Sequence, residues 1–130
     1  MPANILVVED NELNLKLVRS LLHLGNFEVQ EARDAETGIE LAKKIGPDLI
    51  LMDIQLPGMD GLEATRIIRQ DPLLKNIPII ALTSYAMQRD EEKAKASGCT
   101  GYISKPIDTR NFTNIINEIL NDDLQSGSAK

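Results

Sequence analysis

Three short, unbroken apolar runs limit what this chain can fold into: Ile5-Leu6-Val7-Val8, Leu49-Ile50-Leu51-Met52 and Ile77 to Leu82. None alternates with polar residues, which is the pattern of strands covered on both faces, as in a parallel sheet. Between the runs the apolar period becomes helical. Leu13, Leu17, Val18, Leu21 and Leu24 form a stripe that Gly25-Asn26 stops. Phe27 to Ala32 is a shorter strand, with Phe27 and Val29 alternating against Glu28 and Gln30. Asp34 caps a helix carrying Ala35, Ile39, Ala42 and Ile45, and Gly46-Pro47 ends it.

After the second run comes a turn, Leu56-Pro57-Gly58-Met59-Asp60-Gly61, then a helix with Leu62, Ile67 and Ile68 up to Asp71-Pro72. After the third, Gln88 to Ser97 reads as a polar helix with a thin Ala/Met face, stopped by Gly98. Gly101 to Ser104 is a brief strand, and Asp108 caps a last helix through Phe112, Ile115, Ile116, Ile119 and Leu120. That helix is expected to fray at Asn121-Asp122-Asp123, leaving a folded unit over 1–124 and a loose tail over 125–130. Five strands thus alternate with five helices, without repeat or linker. The fold class expected is α/β, a doubly wound parallel sheet with helices on both faces. At 130 residues one domain suffices. Aromatics are 3% with no Trp, so the core must be aliphatic.

Charge excludes some functions. Twenty acidic residues stand against 14 basic ones, a formal charge of −6. Nucleic-acid binders usually carry a basic excess, because neutralised phosphates supply most of their affinity. No run approaches the ~20 apolar residues of a membrane span, and no signal peptide opens the chain. Cys99 has no partner for an internal disulfide. A soluble cytoplasmic protein, with no direct nucleic-acid or membrane contact, is expected.

In open parallel sheets ligands bind beyond the carboxyl ends of the strands. Those ends carry Glu9-Asp10, Asp53, Thr83-Ser84 and Lys105-Pro106. Crowded carboxylates repel one another, and a hard divalent cation relieves them. Mg²⁺ takes oxygen ligands, one or two of them protein carboxylates. Asp10 and Asp53 are the expected ligands, with Glu9 acting directly or through water. A carboxylate beside Mg²⁺ is also a nucleophile towards phosphorus. Lys105 adds a compact positive charge and Thr83 a hydroxyl for the phosphoryl oxygens. The bond before Pro106 is one that takes the cis form cheaply, which would aim Lys105 into the pocket. Other residues read as structural: His23 as a solvated side chain, Cys99 as a small packing residue and Met87 as a helix-face residue. Leu15 and Leu22 fall outside the stripe of the first helix. They read as partly exposed leucines, or as a patch that docks a partner helix.

Taken together, Val7-Val8-Glu9-Asp10, Leu51 through Gly61, Leu82-Thr83-Ser84 and Tyr102-Ile103-Ser104-Lys105-Pro106 resemble the receiver domain of bacterial two-component response regulators, from about Asn4 to Leu124. Leu56-Pro57 is a mild variant of the family's frequent Met-Pro turn. The resemblance implies a flavodoxin-like sheet in the order 2-1-3-4-5. It implies Asp53 as phosphoacceptor, and Glu9, Asp10 and the Gln55 main-chain carbonyl as further Mg²⁺ ligands. Thr83 and Lys105 would hold the phosphoryl oxygens, Tyr102 would be the aromatic switch coupled to Thr83, and Gln55 and Tyr85 would tune phosphate lifetime. The donor would be a phosphohistidine on a sensor histidine kinase or phosphotransfer protein. The output face would be the fourth helix, fifth strand and fifth helix, roughly Ala86 to Leu120. Because the chain stops after a few polar residues, it looks like a stand-alone receiver that catalyses only its own phosphorylation and dephosphorylation.

Three other functions compete. An aspartate-nucleophile phosphohydrolase typically has a second Asp two residues after the nucleophile, where this chain has Gln55. A flavin carrier of the same winding needs a hydroxyl- and Gly-rich loop after the first strand, where this chain has Glu9-Asp10-Asn11-Glu12. A pseudo-receiver, acting only as a binding module, usually lacks a site residue, and none is missing.

Overall fold

A computed structural model describes residues 2–83, 88–105 and 107–128. Ser84, Tyr85, Ala86, Met87 and Pro106 lie outside the described residues, and with them the expectations attached to those positions.

The chain order is β1 (Asn4–Val8), α1 (Glu12–Leu24), β2 (Glu28–Ala32), α2 (Ala35–Ile45), β3 (Leu49–Asp53), α3 (Gly61–Gln70), β4 (Ile79–Thr83), α4 (Gln88–Ser97), β5 (Gly101–Ser104) and α5 (Phe112–Ser128). The strands form one parallel sheet in the order β2-β1-β3-β4-β5, as expected.

Strand parity divides the core. Ile5, Val7, Leu49, Leu51, Ile80, Leu82 and Ile103 face one side, where α1 and α5 pack with Leu15, Val18, Leu22, Phe112 and Ile116. Leu6, Val8, Ile50, Met52, Ile79 and Ala81 face the other, against Ile39 of α2, Ala64 and Ile68 of α3 and Ala94 of α4. β3 and β4 are buried throughout, which is why their sequences show no alternation.

Local chemistry sets the helix ends. Asn11 Oδ1 accepts from the main-chain N–H groups of Leu13 and Asn14, and so starts α1 immediately after the acidic pair. Asp34 caps α2 through Thr37, and Gly46 closes it at a φ of 57°. Asp60 caps α3 through Glu63. Asp108 Oδ1 accepts from Arg110, and its carbonyl accepts from Asn111 and Phe112, so Asp108 shapes the turn into α5.

Two expectations need correcting. The buried face of α1 is Leu15, Val18, Leu21 and Leu22, whereas Leu13 and Leu24 are 78% and 80% exposed. Leucines on both sides of the helix make two stripes legible in the sequence, and the sheet selects the one containing Val18. Leu15 and Leu22 are fully buried and so form no docking patch. On α3, likewise, the inward residues are Ala64, Thr65 and Ile68, and Ile67 faces out. The last helix, α5, spans Phe112–Ser128.

Candidate functional site

Strand register brings the polar ends to one edge. Val8 pairs with Met52, Asp53 with Leu82 and Thr83 with Ser104, so Glu9, Asp53, Thr83 and Lys105 stand in neighbouring positions across four strands. Oxygens of Glu9, Asp10 and Asp53 all lie within 4.8 Å of one another. Asp10 is exposed, whereas Glu9 is fully buried and Asp53 is 2% exposed. Thr83 is fully buried, and its carbonyl accepts from the Lys105 main-chain N–H. Tyr102 is partly buried against the aliphatic layer under α2, α3 and α4. Cys99, packed near the Thr65 hydroxyl, and exposed His23 take the structural roles expected of them.

Lys105 ties the cluster together. Its Nζ lies 3.1 Å from Glu9 Oε1 and 3.2 Å from Asp53 Oδ2, with only 13% of its side chain exposed. The other Asp53 oxygen, Oδ1, accepts from the Gln55 main-chain N–H at 2.8 Å. Both oxygens of Asp53 are thus held, and the turn leaving β3 bends back over its carboxylate.

One ammonium facing three carboxylates leaves an excess of negative charge, and Glu9 carries the consequence. Burial, then a hydrogen bond to Asp53 and the charge of Asp53, raise its carboxyl from 4.5 to about 7 against the opposing pull of Lys105 and Asn14. Near neutral pH the Glu9 carboxyl is therefore only partly ionised, its burial and its hydrogen bond to Asp53 favouring the protonated form. Asn14 went unnoticed in the sequence. Its position is the first turn of a helix that Asn11 starts two residues after Glu9, and that spacing was the available signal.

The cluster fits a hard divalent cation. Oxygens around an octahedral Mg²⁺ at about 2.1 Å stand roughly 3 to 4 Å apart, a spacing that the three carboxylates can supply. The same charge would replace the proton on Glu9. Chemically, the edge offers three clustered carboxylates, one of them fixed by two hydrogen bonds, with a buried hydroxyl and an ammonium nearby. No helix among the described residues is long and apolar enough to cross a membrane.

Similar proteins carry the same arrangement of elements. The family model of the response regulator receiver domain matches residues 5–117. A polar-differentiation response regulator, DivK of Brucella anthropi, is 46% identical over 122 residues, covering 94% of this chain and 99% of that protein. Among solved structures, the receiver domain of the Pseudomonas aeruginosa sensor histidine kinase PA1611, with a magnesium ion coordinated in its active-site cleft, superimposes with a TM-score of 0.86. It is 33% identical and covers 93% of this chain and 99% of its own. A putative response regulator of Chloroflexus aurantiacus gives a TM-score of 0.90 at 27% identity, with 93% and 99% covered. With its sheet order, its acidic edge and these likenesses in agreement, the chain belongs to the response regulator receiver domain family of two-component signalling.

Proposed function

We propose that Asp53 is the phosphoacceptor of a single-domain response regulator. The supporting observation is the buried Asp53 carboxylate, held by Gln55 and Lys105 within an acidic cluster suited to Mg²⁺. A carboxylate oxygen of Asp53 attacks the phosphorus of a phosphohistidine on a sensor kinase or phosphotransfer protein. The P–N bond breaks, the imidazole leaves with a proton from solvent, and an aspartyl phosphate remains. Glu9, Asp10, Asp53 and the Gln55 carbonyl would hold Mg²⁺, which supplies charge neutralisation at the phosphoryl oxygens. Lys105 lies beside Asp53 Oδ2, where it meets those oxygens as they arrive. Thr83, at the end of the neighbouring strand, is the hydroxyl donor.

The phosphoryl group adds close to two negative charges. Thr83 and Lys105 interact differently with the modified site, which biases two arrangements of the surrounding segments. Tyr102, two residues before Ser104, the pairing partner of Thr83, is the proposed relay to an output face formed by α4, β5 and α5. A downstream protein reads that face in the cytoplasm. No site residue is replaced, so the binding-only reading has nothing specific in its favour.

Intact mass after incubation with acetyl phosphate tests the reading. Wild type should gain one phosphoryl group only with Mg²⁺, and Asp53→Ala none. An equal gain in both would move the acceptor elsewhere.

A further inference from the structure

Several glycines of the described chain sit where a side chain would be crowded, and one does so at the proposed phosphoacceptor itself. A Cβ at Gly25 would meet Phe27 and Thr113, at Gly38 Val8, at Gly98 Arg69 and at Gly101 Ile119, all of them side chains. A Cβ at Gly61 would meet main chain. It would lie 2.8 Å from Ile54 Cα and 2.9 Å from the Asp53 carbonyl carbon, and nearer still to the Asp53 carbonyl oxygen. Left-handed backbone is not the reason for this glycine, since the positive-φ glycines are Gly46, Gly58 and Gly98.

Neither side can retreat easily. The first turn of α3 is fixed by Asp60, whose Oδ1 accepts from Glu63 at 2.8 Å and whose carbonyl accepts from Ala64 at 3.1 Å. Thr65 Oγ1 donates to the Gly61 carbonyl at 2.8 Å, and Thr65, Ala64 and Ile68 are fully buried. Opposite, the Ile54 N–H donates to the Leu82 carbonyl at 3.0 Å, and the Gln55 N–H holds Asp53 Oδ1. A β-carbon would therefore push on the two residues that carry the acceptor and lead to the Gln55 carbonyl.

We propose that Gly61 is a positioning residue for phosphoryl transfer: its missing side chain lets α3 bear directly on the main chain of Asp53 and Ile54, and so sets where the Asp53 carboxylate stands. This rests on Asp53 being the acceptor. Carbon atoms at rest lie about 3.5 to 4.0 Å apart, so a methyl group at 61 demands a shift of about 1 Å. Misplacements of about 1 Å can cost up to 10²-fold in rate.

The test compares wild type, Gly61→Ala and Gly101→Ala in the full chain. Gly101 is the control because its β-carbon would press on the flexible end of Ile119, with Ile80 Cγ1 at an ordinary contact distance of 3.6 Å. Urea unfolding gives the stability of each, and phosphorylation by acetyl phosphate at saturating Mg²⁺ gives the rate of the folded protein. Amide shifts of residues 53–55 report displacement at the site. Gly61→Ala is expected to be about 10- to 100-fold slower while folded, with its largest shifts at residues 53–55. Gly101→Ala should keep the wild-type rate within about threefold, as a glycine remote from the reacting atoms. A wild-type rate in Gly61→Ala overturns the proposal, as does an equal loss in both variants. So does a Gly61→Ala that stays unfolded even in an osmolyte favouring compact states, since Gly61 would then serve the fold rather than the site. A wild type that takes no phosphoryl group overturns the acceptor reading instead, and is distinguishable because the defect precedes any substitution.

Discussion

Replacing Glu9 by Gln should change how the stability of this protein depends on pH. Glu9 is fully buried and its carboxyl is raised from 4.5 to about 7, so the folded chain holds a proton there that the unfolded chain has released. Between those two values the unfolded state binds fewer protons, and the stability contributed by Glu9 falls as pH rises. That contribution is fully present below about pH 4.5 and lost once pH passes about 7. A shift of about 2.5 units, the difference between 4.5 and about 7, corresponds to roughly 3 kcal/mol. Gln cannot ionise. Urea unfolding of wild type and Glu9→Gln in EDTA, from about pH 4 to about pH 8, should therefore show the variant gaining about 3 kcal/mol relative to wild type across that window. Taking the difference cancels the carboxylates that titrate alike in both proteins, such as Glu31 beside Arg19 and Asp34 at its cap, both held below the usual range. A difference flat to within about 0.5 kcal/mol would refute the reasoning, because Glu9 would then titrate alike in the folded and unfolded states.

The same proton bears on the metal. Mg²⁺ affinity, measured by calorimetry, should weaken as pH falls below about 7, because binding must displace the Glu9 proton, and Glu9→Gln should flatten that dependence. Helix rotation is testable on α1. Leu15→Ala should cost about 3 kcal/mol in urea unfolding, whereas Leu13→Ala should stay within about 0.5 kcal/mol. Arg69 donates to the carbonyls of Gly98, Lys75 and Ile77 and so joins the end of α3 to two neighbouring turns. Arg69→Ala should cost about 2 kcal/mol and raise amide hydrogen exchange around residues 75–78 and 98–100, and Lys should not restore it, because an ammonium lacks the planar fork.

The sheet was legible because β1, β3 and β4 are covered on both faces, which forces unbroken apolar sequences that nothing else in the chain imitates. Its strand order was not contained in periodicity, and came from likeness to a family. The candidate site was legible because each contributing residue ends a strand or lies within two residues of its end, and parallel strands in register must align those ends. Helix rotation was obscured on α1, where Leu13, Leu15, Leu17, Leu21, Leu22 and Leu24 surround the axis and only the sheet determines which are covered. The difference in burial between Glu9 and Asp10 was also hidden. Adjacent acidic residues look alike in sequence, yet one lies beneath Lys105 and Asn14 and the other faces solvent. The role of Gly61 depends on a close approach between segments that no local pattern encodes.

The central claim is that the phosphoryl group resides on Asp53. Borohydride reduces an acyl phosphate to an alcohol and leaves free carboxylates intact, so peptide mapping after treatment of the phosphorylated chain reads the modified residue directly. Homoserine at position 53, formed only when Mg²⁺ and the phosphodonor were both present, is the predicted result. An unreduced Asp53, with the phosphoryl group on another residue or on none, would contradict it.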